Sequence, residues 1–230
     1  MSSRVETGAL RIKVVVGLAL VVVAGCGGGE ADPEVTIPPG RGADSALGAV
    51  EGLVSAIDEG DFTGASHLAV PGQAALASLA EGATFDVVAE ALREGDEEVA
   101  ANFWAGFAQG AGSFLTGPVE ASVAGTMTQD PLTFDEVAVT PESGGTRSVL
   151  VRDVDGYRID LFASFGAGLA DKMISPVERL LSTQTSDARL ILTELQGIVP
   201  SLLAAAQLPD TPGDVSQQLL ALVEVITRVS

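Results

Sequence analysis

An uninterrupted apolar run near the start of the chain, Val14 to Ala24, decides which residues take part in the fold and in which compartment they do so. Its eleven uncharged residues follow Arg4, Arg11 and Lys13, and a basic segment before an apolar core is the layout of a secretory signal. The run is too short to cross a bilayer, because a spanning helix needs about 20 apolar residues. We therefore expect residues 1–25 to be a signal peptide and to lie outside the fold.

The end of the apolar run resembles the lipobox of bacterial lipoproteins, which reads aliphatic, small, Gly or Ala, then Cys. Here these positions are Val23, Ala24, Gly25 and Cys26. The resemblance implies cleavage after Gly25, a diacylglyceryl thioether on Cys26 and acylation of the new amino terminus, for example with palmitate. Two or more acyl chains are enough for stable anchoring. The implied location is the extracytoplasmic face of the cell membrane, with the membrane itself as a partner through the lipid on Cys26.

The alternative is an ordinary signal peptide that happens to precede a cysteine. Cys26 is the only cysteine in 230 residues, so an exported chain that could have used disulfides has none. Its one thiol stands where the lipid would be attached, which favours the lipoprotein interpretation.

The charge of the chain excludes one class of partner. From Cys26 onward, 9 lysines and arginines stand against 30 aspartates and glutamates, a net charge of −21. Such a surface repels phosphates and keeps a small domain soluble. We therefore expect no nucleic-acid partner, and we interpret the acidity as a solvated surface of the cell envelope protein.

The remaining chain predicts a tether, residues 26–43, followed by an α+β domain, residues 44–165. Asp44 and Ser45 precede a helical apolar pattern that ends at Gly60, and Asp61 can cap a second helix. Further helices are predicted at 73–80, 85–94 and 96–109. Four strands rich in Val and Thr follow, at 120–128, 134–140, 147–152 and 157–162, which predicts an antiparallel sheet under the helices.

Two stretches resemble the nuclear-transport-factor-2-like, or ketosteroid-isomerase-like, domains of exported lipoproteins. One is the opening helix pair, 46–65, and the other is the hairpin 149–161, in which Asp155-Gly156 is suited to a type I′ turn. The resemblance ends near residue 165, because about 65 residues follow. In these, Ser175-Pro176-Val177-Glu178 has the form of a capping box, and apolar spacings of three and four predict a C-terminal αα-hairpin, residues 166–230, that Pro200 kinks or restarts.

Few residues indicate a catalytic or metal-binding site. His67 is the only histidine, so a histidine metal cluster is not expected, and Gly64 to Leu68 does not match a nucleophile elbow. Asp153 to Asp160 lacks the third oxygen ligand and the glutamate at position twelve of a calcium loop. The sequence therefore predicts no metal, no cofactor and no catalytic residue.

One aromatic cluster is the candidate site. Phe103, Trp104, Phe107 and Phe114 predict a buried helical stripe, and in the fold implied by the resemblance they would line a cavity for an apolar ligand. We expect a non-catalytic module that binds a small apolar molecule or an envelope protein. Two alternatives stay open: an isomerase-like enzyme, which would need a buried carboxylate in an open cavity, and a scaffold assembled through exposed C-terminal helices.

Overall fold

Helices before and after one antiparallel sheet make up the part of the chain that the computed structural model describes, residues 42–94, 97–110 and 112–228. Residues 1–41, with the predicted signal peptide, Cys26 and most of the tether, lie outside these ranges. The helices are α1 (Ala46–Glu59), α2 (Phe62–Leu68), α3 (Gln73–Ala77), α4 (Phe85–Glu94), α5 (Glu97–Gln109), α6 (Leu161–Ser182), α7 (Ser186–Gly197), α8 (Val199–Gln207) and α9 (Gly213–Thr227). The strands are β1 (Val119–Gln129), β2 (Leu132–Pro141), β3 (Arg147–Asp153) and β4 (Tyr157–Ile159).

The first two helices begin and end where their capping residues predict. The Ser45 hydroxyl accepts a hydrogen bond from the Gly48 N–H at 3.0 Å, and α1 ends at Gly60, whose φ of 72° favours glycine. The Asp61 carboxylate accepts from the Gly64 N–H at 2.9 Å and starts α2. Local hydrogen bonding is sufficient to explain these boundaries.

The four strands pair in chain order as an antiparallel meander, β1-β2-β3-β4. Alternate side chains point to opposite faces of a sheet. Val137, Val149 and Val151 accordingly join the core that α1 covers, whereas Phe134 and Leu150 pack on the other face with residues of α6 and α8. Helices therefore cover both faces, and the predicted α+β class is confirmed.

The hairpin between β3 and β4 has the positive φ angles that its sequence predicts, 54° at Asp155 and 98° at Gly156. Asp153 pairs with Tyr157, so the loop has three residues instead of two. Beyond β4, Ala43 and Ala69 form isolated bridges with Tyr157 and Ile159. These bridges occupy the outer edge of β4 and tie the start of the described chain to the sheet.

The predicted start of the C-terminal helices at Ser175 was wrong, and so was the extension of the last strand to Phe162. The strand β4 ends at Ile159, Asp160 caps α6, and Pro176 lies inside that helix. An apolar stripe explains the difference, because its members are buried at helical spacing from the first turn onward. The stripe consists of Phe162, Phe165, Leu169, Met173, Val177 and Leu180. Burial of this continuous face outweighs the local capping signal and the missing amide of Pro176.

The helices after α6 also differ in detail from the predicted hairpin. The long predicted helix is interrupted at residues 183–185, where the Thr185 hydroxyl accepts from the Ala188 N–H at 3.2 Å and starts α7. The predicted restart at Pro200 is confirmed, since α8 begins at Val199. The last helix, α9, begins at Gly213, and Asp214 lies in its first turn.

Helix α6 connects the sheet to the C-terminal helices. The predicted domain boundary between residues 165 and 166 falls inside α6, and residues 37–230 form one compact unit. At Gly166, a Cβ would lie 3.2 Å from a Leu219 methyl and 3.3 Å from a Leu202 methyl, so α8 and α9 approach the α6 backbone closely. Within the described ranges, no single helix is long and apolar enough to cross a membrane, and α7 with α8 meets that test only as a pair bent by 40°.

Candidate functional site

Three of the four aromatic residues expected to line a ligand cavity are buried between helices. Phe103, Trp104 and Phe107 are each at most 3% exposed. Their ring centroids lie 5.0 to 5.6 Å apart, within the range of favourable aromatic pairs. The Trp104 indole N–H donates to the Ser66 hydroxyl at 2.8 Å, so α5 is fixed to α2. In this arrangement the three rings form part of the core.

The fourth aromatic residue, Phe114, has a different environment. The ring of Phe107 meets Phe165 of α6 edge to face at 4.8 Å, and Phe165 in turn lies 5.9 Å from Phe114. Phe114 is half-buried in a short 3₁₀ helix, Ser113–Leu115, just before the sheet. A row of aromatic contacts therefore leads from the buried core to a ring at the surface.

Phe114 and Phe165 border a cleft of about 330 Å³, which we call the Phe114 cleft. Its walls come from four segments that are distant in sequence: the 3₁₀ helix, the start of β3, the first turns of α6, and the loop and first turn that join α8 to α9. The lining residues are Phe114, Thr146, Arg147, Ser148, Ser164, Phe165, Ala167, Gly168, Leu208, Asp210, Thr211, Pro212 and Val215.

The floor of the Phe114 cleft is apolar and its rim is polar. Phe165 is 4% exposed and Leu208 is 6% exposed, and Val215 of α9 is half-buried beside them. Arg147 and Asp210, both exposed, are the charged residues of the lining. Six of the thirteen lining residues are polar or charged, so the cleft offers apolar and polar surface side by side, and small-molecule sites combine the two.

Arg147 is the cation of this cleft. Its guanidinium carbon lies 4.8 Å from the centre of the Phe114 ring, a cation–π contact. Among the described residues it forms no ion pair, in contrast to Arg93 with Asp187, Lys172 with Glu81 and two further pairs. The positive charge of Arg147 is therefore not neutralised by a carboxylate of the described chain.

The hydroxyl groups of the cleft are engaged in holding the fold. Ser164 accepts from the Leu150 N–H at 2.8 Å and thereby joins the first turn of α6 to β3. Ser148 donates to a Glu136 carboxylate oxygen at 2.5 Å, and Thr146 shares a hydrogen bond with Thr140 at 2.8 Å. None of these contacts pairs a hydroxyl with a basic residue, which is the arrangement that nucleophilic catalysis uses.

His67 and Asp160 are absent from the lining of the Phe114 cleft. His67 lies in the last turn of α2, and its main-chain carbonyl accepts a hydrogen bond from Arg158 at 2.5 Å. Asp160 is fully buried between the sheet and the C-terminal helices. Neither side chain borders the space where a ligand would bind in this cleft.

The role of Asp160 was missed by the sequence reasoning, although an Asp before an apolar helical stripe is a capping signal. One carboxylate oxygen accepts from the Ala163 N–H at 2.9 Å. The other accepts from Arg152 at 3.1 Å and from the Ser201 hydroxyl at 2.8 Å. The carboxylate thus links β3, α6 and α8, and all these contacts serve to hold the fold.

A second groove, of about 370 Å³, borders Phe103, Ser78 and Val87 on the helical side of the molecule. The described residues contain no group of three or more His, Cys, Asp or Glu side chains that could hold a metal ion.

Comparisons with protein-family models, with curated proteins and with solved structures found no match for this chain.

Proposed function

We propose that this protein is a lipid-anchored extracytoplasmic module that binds a small apolar molecule in the Phe114 cleft. The observation that carries the proposal is the buried apolar floor of Phe165 and Leu208 beneath an opening of about 330 Å³. Small-molecule sites have volumes of roughly 300 to 1,000 Å³ and are lined mainly by apolar and aromatic groups. The cleft lies at the lower end of this range, which favours a small ligand.

The position of the cleft in the fold also supports a binding role. Phe165 lies on α6, which packs against the sheet and against both α8 and α9. Sites built on packed elements hold their shape better than sites built on loops alone. The floor is therefore preorganised, and Leu208, Asp210, Thr211 and Pro212 of the loop after α8 complete the wall of the cleft.

The alternatives from the sequence find less support in the geometry. An isomerase-like enzyme needs a buried carboxylate at an open cavity, but Asp160 lies away from the cleft and its oxygens are hydrogen-bonded. A scaffold needs exposed apolar stripes, but Leu195, Leu202 and Leu222 are buried in this chain. An envelope protein as partner, and the resemblance to ketosteroid-isomerase-like domains, stay predictions of the sequence.

The binding part of the proposal is tested with the neutral fluorescent dye phenylnaphthylamine. Ala167 lines the cleft from α6, so Ala167→Phe places a ring in the space that a ligand would occupy. Gln217→Phe on the exposed surface of α9 is the matched control. We expect wild type and the control to bind the dye, and Ala167→Phe to lose binding while it keeps its circular dichroism spectrum. Equal dye binding by all three proteins would place the site elsewhere.

The anchor is tested separately, by intact mass of protein extracted from the membrane fraction of its native host. We expect a diacylglyceryl mass on Cys26 in the wild type. The Cys26→Ser variant should lack this mass and should be unprocessed or released from the membrane. An unmodified wild-type protein in the soluble fraction would disprove the anchor and would leave the binding proposal in place for a diffusing protein.

A further inference from the structure

We propose that the Phe114 cleft selects an amphipathic carboxylate, with its apolar tail on the floor and its carboxylate on Arg147. This inference rests on the proposed binding function and adds the chemical class of the ligand. It depends on the combination, in one cleft, of a cation without a carboxylate partner and a buried apolar floor.

Arg147 has no carboxylate partner among the described residues. In a chain with a net charge of −21 after Cys26, carboxylates are abundant, and four other cations of the described residues are paired with them. Arg147 instead lies against the face of Phe114 at the cleft. A guanidinium held against an aromatic ring can still donate hydrogen bonds, and its fork of N–H groups matches a carboxylate in bidentate geometry.

The floor of the Phe114 cleft provides an apolar surface for a ligand tail. Phe165 and Leu208 are almost fully buried, and the half-buried Val215 of α9 lines the same cleft. Each methylene of a ligand tail that leaves water for such a surface would strengthen binding. The volume of about 330 Å³ lies at the lower end of the range of small-molecule sites. A carboxylate with a short apolar chain, such as octanoate, therefore serves as the probe ligand.

Asp210 acts against this selection. It lies in the lining on the loop between α8 and α9, is exposed, and makes no ion pair with Arg147. A carboxylate ligand would be repelled by its charge, although solvent screens exposed charges. Replacing Asp210 with Asn removes that repulsion, so the same inference predicts opposite effects for the two charged residues of the lining.

The experiment measures displacement of phenylnaphthylamine by octanoate and by octanol, which share a chain and differ in the head group. Both ligands are kept below the concentration at which they aggregate. In the wild type we expect octanoate to bind more tightly than octanol. Arg147→Gln should weaken octanoate binding by about tenfold, because the lost interaction is a charge-assisted hydrogen bond. It should leave the affinity for octanol unchanged. Asp210→Asn should strengthen octanoate binding severalfold.

Arg189→Gln is the matched control, because Arg189 is an exposed arginine of α7 outside the cleft. It should leave both affinities at wild-type values. Equal binding of octanoate and octanol by the wild type, or an equal loss of both in Arg147→Gln, would overturn the inference while dye binding still supports the proposed function. Failure of the dye to bind the wild type would instead remove the proposed function, so the two outcomes are distinct.

Discussion

The Arg147 guanidinium carbon lies 4.8 Å from the centre of the Phe114 ring, so the cation of the cleft and its aromatic wall form one unit. Arg147 begins β3, whereas Phe114 belongs to the 3₁₀ helix that precedes β1. The ring lies against the charge, and the ring of Phe165 packs against Phe114 with its centroid 5.9 Å away. Removal of the ring should therefore weaken the binding of both the head group and the tail of a ligand.

Phe114→Leu tests this arrangement. The variant keeps an apolar side chain but loses the cation–π contact, which is worth about 0.5 to 1 kcal/mol at an exposed site. We expect octanoate to bind about two- to fivefold more weakly, measured by dye displacement. Phe85→Leu is the control, because Phe85 carries a similar contact with Arg179, at 6.0 Å, outside the Phe114 cleft. Equal weakening by the two variants would contradict a specific role for Phe114.

Asp160→Ala should cause a large loss of stability. The substitution leaves Arg152 and Ser201 without their carboxylate partner and removes the cap of α6. Arg152 is 20% exposed, so the cost comes from the lost hydrogen bonds to a buried carboxylate and from the lost helix cap, together about 3 kcal/mol. We expect a loss of this size in the free energy of unfolding, measured by urea denaturation with circular dichroism.

Asp61→Ala is the control for the Asp160 prediction. Asp61 also caps a helix through its carboxylate, but it is exposed and makes no buried ion pair. Loss of such a cap costs about 1 kcal/mol. If the two variants lost the same stability, the buried network around Asp160 would contribute nothing beyond capping.

The start of α4 should show a pH-dependent contribution from Asp86. A hydrogen bond from the Thr84 side chain, aided by the main-chain N–H groups of Asp86 and Val87, lowers the pKa of the Asp86 carboxyl from its ordinary value. A pKa that is lower in the folded state stabilises the fold above the unfolded-state pKa, and this contribution is lost as pH falls through the folded-state pKa. We expect Thr84→Val to raise the pKa of Asp86, measured by NMR titration, whereas Thr193→Val on α7 leaves it unchanged. No change in Thr84→Val would exclude the Thr84 hydroxyl as the cause.

Gly166→Leu should destabilise the packing of α6 against α8 and α9. Even a Cβ at this position would lie 3.2 Å from Leu219 and 3.3 Å from Leu202, so a larger side chain forces these helices apart. Overpacking of this kind costs about 1 to 3 kcal/mol. Gly197→Leu is the control, since a Cβ there meets nothing within 4 Å. An unfolding free energy equal to that of the wild type in Gly166→Leu would contradict the close approach of the helices.

Elements with complete local signals could be predicted from the sequence. The cap at Ser45, the glycine at position 60 and the valine-rich strands each act through neighbouring residues, and the structure follows them. The start of α6 could not be predicted in this way. Its position depends on the burial of Asp160 and of a stripe that packs against distant helices. The Ser175-Pro176 signal describes only one turn and does not include that packing.

The candidate site shows the same limit. Phe114 was predicted as a lining residue together with Phe103, Trp104 and Phe107, because the fold implied by the resemblance would place this aromatic cluster at a cavity. The structure separates Phe114 from Trp104 and Phe107, since the 3₁₀ helix turns it toward α6. Arg147, Phe165 and Leu208 join it from three other segments. No local pattern links these segments, so the cleft appears only after the chain has folded.

The measurement that tests the central claim most directly is a two-dimensional ¹H–¹⁵N NMR titration of the full mature chain with octanoate. If the Phe114 cleft is the ligand site, the amide signals of Arg147, Phe165, Leu208 and Asp210 should shift together and saturate with one affinity. Shifts centred instead on the groove at Ser78 and Val87, or no saturable shifts, would contradict the account.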